Sequence, residues 1–152
     1  MVKKRTLAFA TLAILVWAIS VTSLFGYYYL RFQEYVDLAH EYEAVTMRVN
    51  IAIDYGNDTK TWHNNTIVPL GATLLNATEF VADVDGAPFV NAIDGVALSS
   101  EEKMSWLWWR WDAAISGWIL GEVGADKHLL RPREILVWAY QSWETWPPPP
   151  PS

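Results

Sequence analysis

Cysteine is absent from the 152 residues. That removes disulfide frameworks, thiolate metal sites and cysteine nucleophiles together. It leaves the compartment open, because exported proteins need not carry disulfides. Basic residues are sparse too: 11 Lys and Arg stand against 17 Asp and Glu, a formal net charge of -6. They cluster only at Lys3, Lys4 and Arg5. Nucleic acid is not an expected partner, since phosphate binding needs concentrated Lys and Arg. His40, His63 and His128 lack metal-ligand spacing. Gly121-Glu122-Val123-Gly124 is not followed by the Lys-Ser/Thr of a phosphate loop, and no Gly-x-Ser-x-Gly elbow occurs. Asp83 and Asp85 bracket Val84 and could share a cation, although a solvated loop is the simpler reading. No metal, no cofactor and no catalytic constellation is expected, so the chain reads as a non-enzyme.

What the chain has is a long apolar run. Thr6 to Leu30 contains no charged residue. About 20 apolar residues at about 1.5 Å rise span a hydrocarbon core of roughly 30 Å. Lys3, Lys4 and Arg5 precede the run and only Arg31 follows it directly. The positive-inside rule then places residues 1–5 in the cytoplasm, 6–30 across the cell membrane as a single-pass signal anchor, and the remainder outside. Tyr27, Tyr28 and Tyr29 would sit at the outer interface. The rival reading is a signal peptide cut after Ala18-Ile19-Ser20 or Val21-Thr22-Ser23; the length of the run favours an uncleaved anchor, and both readings export the rest. Sequons at Asn57, Asn64 and Asn76 agree with export and mark candidate glycosylation sites.

In residues 31–44, Phe32, Tyr35 or Val36, Ala39 and Tyr42 recur at helical steps, which predicts a stalk with one apolar stripe. The stripe could self-associate or lie against its own domain; two heptads are too few for a coiled coil. Residues 144–152 end in Pro147 to Pro151, an extended polyproline tail that serves as a stiff spacer or docks in an aromatic groove.

Residues 45–143 form the domain between. Val45, Met47, Val49, Ile51, Ile53 and Tyr55 alternate with Thr46, Arg48, Asn50, Ala52 and Asp54, the pattern of a half-buried strand. Gly56-Asn57-Asp58 turns the chain into a return strand over Trp62 to Val68. A helix starts near Gly71-Ala72-Thr73 and runs through Ala82. Phe89, Val90 and Ile93 suggest a short strand ending at Asp94-Gly95; Trp106 to Trp111 and Ile135 to Tyr140 suggest two more. The order predicts an α+β domain, a mixed sheet with one packed helix.

There are ten tryptophans, most of them between Trp106 and Trp143. On the strand over Trp106 to Trp111, Trp106, Trp108 and Arg110 face one side, and Leu107, Trp109 and Trp111 the other. One face can pack on the helix. The other has no evident cover, and exposed aromatic surface marks an interaction site. Trp106, Trp108, Trp109, Trp111 and Trp118 are the candidate binding residues. The alternative is that tryptophan fills core positions, with loops folded over the far face.

Several pieces in order resemble the transcobalamin C-terminal-like domain family: VNIAIDYG at the first strand, PLGATLLNAT at the helix entry, FVNAIDGV, WLWWRWD, EVGADKHLL and the closing ILVWAY. The family's Asn-Gly turn is replaced by Asp112-Ala113, and its Gly-Asp turn by Arg133-Glu134. The resemblance implies a β-grasp-like fold and a non-catalytic, exported binding module. In the vitamin carriers that name the family, the domain closes over cobalamin together with a second, helical domain. No such second domain is read in this sequence, so a cobalamin-like ligand rests on the resemblance alone and no ligand-binding residue is carried over.

Two functions follow. One is a membrane-anchored extracytoplasmic binding module whose aromatic surface grips an apolar or cyclic ligand, a glycan or a protein partner. The other is a structural or assembly subunit of a cell-envelope complex, with no small ligand.

Overall fold

The structure is a computed structural model that describes residues 2–151, with side chains described at residue 9 and from residue 11 onward. The chain divides into two units at Ala44/Val45. The first is one helix, α1 (Val2–Val45). It holds no proline, and two of its hydroxyls bond back to its own backbone: Ser20 donates to the Val16 carbonyl at 2.9 Å and Thr22 to that of Ala18 at 2.8 Å. That economy suits hydrocarbon, where water cannot serve a stray donor. Its large apolar side chains, among them Phe9, Trp17 and Phe25, are exposed along the shaft. Within α1 lies a stretch long and apolar enough to cross a membrane. The side chains of Lys3, Lys4 and Arg5, and residues Met1 and Ser152, lie outside the described set.

The second unit is α+β. β1 (Thr46–Asp54) pairs antiparallel with β2 (Lys60–Pro69), as the alternation predicts. Met47, Val49, Ile51 and Ile53 point into the core. A bulge between Val49 and Ile51 is held by Asn50, whose side-chain oxygen accepts the Asn65 N–H at 2.9 Å. α2 (Leu74–Glu79) follows, N-capped by Thr73 in a capping box with Asn76. Leu74, Leu75, Ala77 and Thr78 are buried on its inner side.

The helix is shorter than the expected run to Ala82. Both Val81 and Ala82 N–H groups return to the Thr78 carbonyl, and the Asp83 N–H is taken by the Asp94 side chain at 2.9 Å. The chain is thereby diverted into a three-stranded sheet of β3 (Val84–Asp85), β4 (Ala92–Ile93) and β5 (Val96–Ala97). The expected strand over Phe89 to Ile93 shrinks to Ala92–Ile93. Asp94 and Gly95, at φ 49° and 79°, make the tight β4–β5 turn that needs two left-handed residues.

β6 (Met104–Asp112), β7 (Gly117–Leu120) and β8 (Ile135–Ser142) complete the main sheet, in the order β2-β1-β8-β6-β7. β1 and β8 are parallel and every other pair is antiparallel, so the sheet is mixed. β7 has no apolar alternation and is half-buried throughout, which hid it from periodicity. At the β6–β7 turn, Asp112 accepts the Ala114 N–H at 2.8 Å and Ser116 takes the left-handed conformation (φ 49°). A side-chain turn and a strained serine thus do there what an Asn-Gly pair would do.

Candidate functional site

The main sheet presents two faces, and β6 carries aromatic residues on both. On the helix side, Trp106 and Trp108 are buried with Ile51, Ile53, Leu74 and Trp138. Their indoles are fixed at the polar tip as well as by packing. Trp106 Nε1 donates to the Val96 carbonyl at 2.8 Å, and its ring meets Tyr55 edge-on (5.8 Å, 87°) and Tyr140 at 5.3 Å. Trp108 Nε1 donates to the Val123 carbonyl at 3.0 Å, and its ring lies 4.5 Å from His128. Gly121 rests directly on the Trp108 indole, where a Cβ would collide with the ring.

On the far side, Ala52, Val137, Trp109 and Ala139 form a second buried cluster, joined by half-buried Trp118 and Leu120. Trp111 and Trp118 meet edge-on at 5.2 Å. The five tryptophans singled out by sequence therefore divide: Trp106 and Trp108 belong to the helix side, and Trp109, Trp111 and Trp118 to the far side. Trp106, Trp108 and Trp109 are buried, while Trp111 is 37% exposed and Trp62, opposite Ala52, 45%. Much of the aromatic material is core, and no single face gathers all five. Among the described side chains, Trp109 Nε1 is buried without a hydrogen-bond partner.

A concavity lies where β7 fails to cover β6. β7 pairs only with Trp109 to Asp112. Beyond it, Gly121 N–H reaches the Trp108 carbonyl at 2.8 Å, and Ser99 exchanges two bonds with Met104 at 2.8 and 3.0 Å. The edge between, at Ser105 to Leu107, is left without a strand. Beside it is a groove of about 400 Å³. Trp106, Trp108 and Trp138 form its floor, and Phe89, Leu98 and Leu120 are among its walls. Among the described residues, no ionisable side chain lines it. Trp146 also lines it, and Phe89 at its rim is 79% exposed. Phe89 and Trp138 lie in stretches read from the sequence as strands, and Leu120 and Trp146 in none; no local signal placed the four together, and only the fold assembles them.

A polar cluster braces one wall. Glu134, with a side chain only 6% exposed, meets His128 Nε2 at 3.0 Å and accepts the Arg131 N–H at 2.9 Å. Arg110 Nε lies 3.9 Å away, and its Nη1 is 3.8 Å from Asp112. Burial alone would push the Glu134 carboxyl up, but the His128 and Arg131 hydrogen bonds and the nearby His128 and Arg110 charges hold it below its usual value. The cluster ties His128 and Arg131 to Glu134, and the His128 ring lies on Trp108. At the neighbouring turn Arg133 adopts φ 64° and donates its N–H to the Arg48 carbonyl at 2.7 Å.

The sequons differ in setting. Asn57 and Asn64 are exposed, in a turn and in β2. Asn76 is exposed but caps α2, and its Thr78 is buried, donating to the Leu74 carbonyl at 2.7 Å and accepting Trp138 Nε1 at 2.8 Å. Among the described residues, no group of three or more His, Asp or Glu side chains is arranged to hold a metal ion.

No protein-family model matches the chain. No curated protein sequence matches it. Among solved structures it is similar to haptocorrin in complex with Cbi, at 16% identity and a TM-score of 0.49, over 62% of this chain and 25% of that one. The chain thus spans about a quarter of that protein's length. It is also similar to a protein from Ruminococcus gnavus ATCC 29149 provisionally described as metal binding, at 12% identity and a TM-score of 0.47, over 63% of this chain and 97% of that one.

Proposed function

We propose that the chain is a membrane-anchored binding module rather than an enzyme, and that the apolar groove beside β6 is its site. In this reading residues 1–5 are cytoplasmic, 6–30 cross the membrane, 31–44 form a stalk, 45–143 are the extracytoplasmic domain and 144–152 the tail. The apolar shaft of α1 and the basic residues ahead of its uncharged run support the anchor and its orientation. The observation that carries the binding role is the groove itself: a concavity with an aromatic floor, held open by paired indoles and a glycine, with no charge in its lining. Such a lining favours an uncharged ligand with apolar surface. Exposed Asn57 and Asn64 suit glycan attachment on the exported side; buried Thr78 makes Asn76 the poorest acceptor.

The test is titration of the full chain in lipid nanodiscs with neutral p-nitrophenyl glycosides, followed by quenching of tryptophan emission. Saturable quenching, weakened about tenfold by Phe89→Asp at the exposed rim, is the expected result. Linear, purely collisional quenching that the substitution leaves unchanged would remove the groove as a site.

A second reading has its own observation. Trp62, Ile67 and Trp111 stand exposed on the face away from α2, which favours a structural or assembly role with that face as a protein contact.

A further inference from the structure

We propose that the groove receives an extended, uncharged peptide segment, which adds to the open edge of β6 as an extra strand; this deepens the binding reading above and rests on it. In an antiparallel ladder the main-chain groups of alternate residues point to the same edge. Met104 and Trp108 both bond outward, to Ser99 and Gly121. Trp106, midway between them, therefore directs its N–H and C=O to the same side, at the stretch that β7 leaves uncovered. The gap from Met104 to Trp108 is about 13 Å at ~3.3 Å per residue, room for about three extended residues.

Main chain alone would be an unselective template. The groove supplies the selection. The incoming residue that pairs with Trp106 must project its side chain to the same face as Trp106, into the cavity floored by Trp108 and Trp138. Its neighbours on either side project to the opposite face, alongside Ser105 and Leu107. An apolar residue flanked by small uncharged ones meets both requirements. The lining points the same way: among the described residues no ionisable side chain lines the groove, so a charged residue entering it would lose hydration without a counter-charge in that lining. The chain's own tail does not meet the main-chain requirement. Trp146 reaches the groove, but Pro147 to Pro151 have no N–H to give to the Trp106 carbonyl.

The probe is a blocked seven-residue peptide, threonine throughout except for a central leucine, titrated into the full chain in nanodiscs. Two analogues accompany it: one N-methylated at the leucine, one with aspartate in its place. The parent peptide is expected to displace the p-nitrophenyl glycoside and to protect the Trp106 amide from hydrogen exchange. Each analogue is expected to bind at least about tenfold more weakly, and Phe89→Asp to weaken the parent about tenfold. Equal binding of the parent and N-methylated peptides, or binding without protection of the Trp106 amide, would overturn strand addition. If the glycoside binds and no peptide does, strand addition fails while the groove stands as a site. If neither binds, both readings fall.

Discussion

Two indole N–H groups show how much a single buried donor matters here. Trp138 Nε1 donates to the Thr78 hydroxyl, which in turn donates a hydrogen bond to the Leu74 carbonyl. The relay is buried on a helix whose every inward residue is apolar except Thr78. Thr78→Val keeps the shape but leaves the indole N–H unpaired, and should destabilise the domain by about 1–3 kcal/mol. Trp109 is the opposite case, because its buried N–H already lacks a partner. Trp109→Phe removes an unmet donor along with part of a ring, and should stay within about 1 kcal/mol of the parent. Denaturant titrations of both variants, followed by near-ultraviolet dichroism, check the pair. A loss at Trp109→Phe as large as that at Thr78→Val would mean that the missing ring volume, and not the unmet donor, governs the Trp109 site.

At the scale of elements, the tips of aromatic side chains fasten the small sheet to the large one. Tyr55 at the end of β1 donates to Asp94 at 2.5 Å, Trp106 of β6 to the Val96 carbonyl at 2.8 Å, and Tyr140 of β8 to the Ala97 carbonyl at 2.9 Å. Three strands of the main sheet thus hold one hairpin, with ring bodies in the core and polar ends on the partner's turn. The Tyr55 hydroxyl is pushed up from 10.0 to about 12, first by burial and then by its bond to Asp94. Its contribution to stability is therefore complete below the ordinary value and is lost as pH rises through about 12. Melting temperature should fall across that alkaline interval, and Tyr55→Phe should flatten the fall while lowering stability at neutral pH. A variant with an unchanged alkaline slope would show that Tyr55 is not the group being titrated.

For the whole molecule, orientation is the property that both functional readings share, and the absence of cysteine makes it simple to measure. A cysteine placed at Lys3 or at exposed Glu101 has no background thiol to compete with it. In intact cells a membrane-impermeant maleimide should label Glu101→Cys and spare Lys3→Cys until lysis; the reverse pattern would invert the topology. The sequence by itself determined the elements whose periodicity is long and whose neighbours are local: the uncharged run of α1, the alternation of β1, the paired faces of β6, and the capping residues ahead of α2. It determined the class of fold as well, since these elements in this order leave few ways to bury their apolar sides. Only the tertiary structure decided which tryptophans are core and which border a groove, because burial depends on what crosses above a face and not on the strand's own pattern. It also decided where α2 stops, through Asp94 capturing the Asp83 N–H, and that four residues of β7 leave part of β6 uncovered. Those outcomes rest on contacts between residues far apart in the chain, such as Trp108 under Gly121 and Trp106 on Val96, and no local signal encodes which distant partner a side chain will meet.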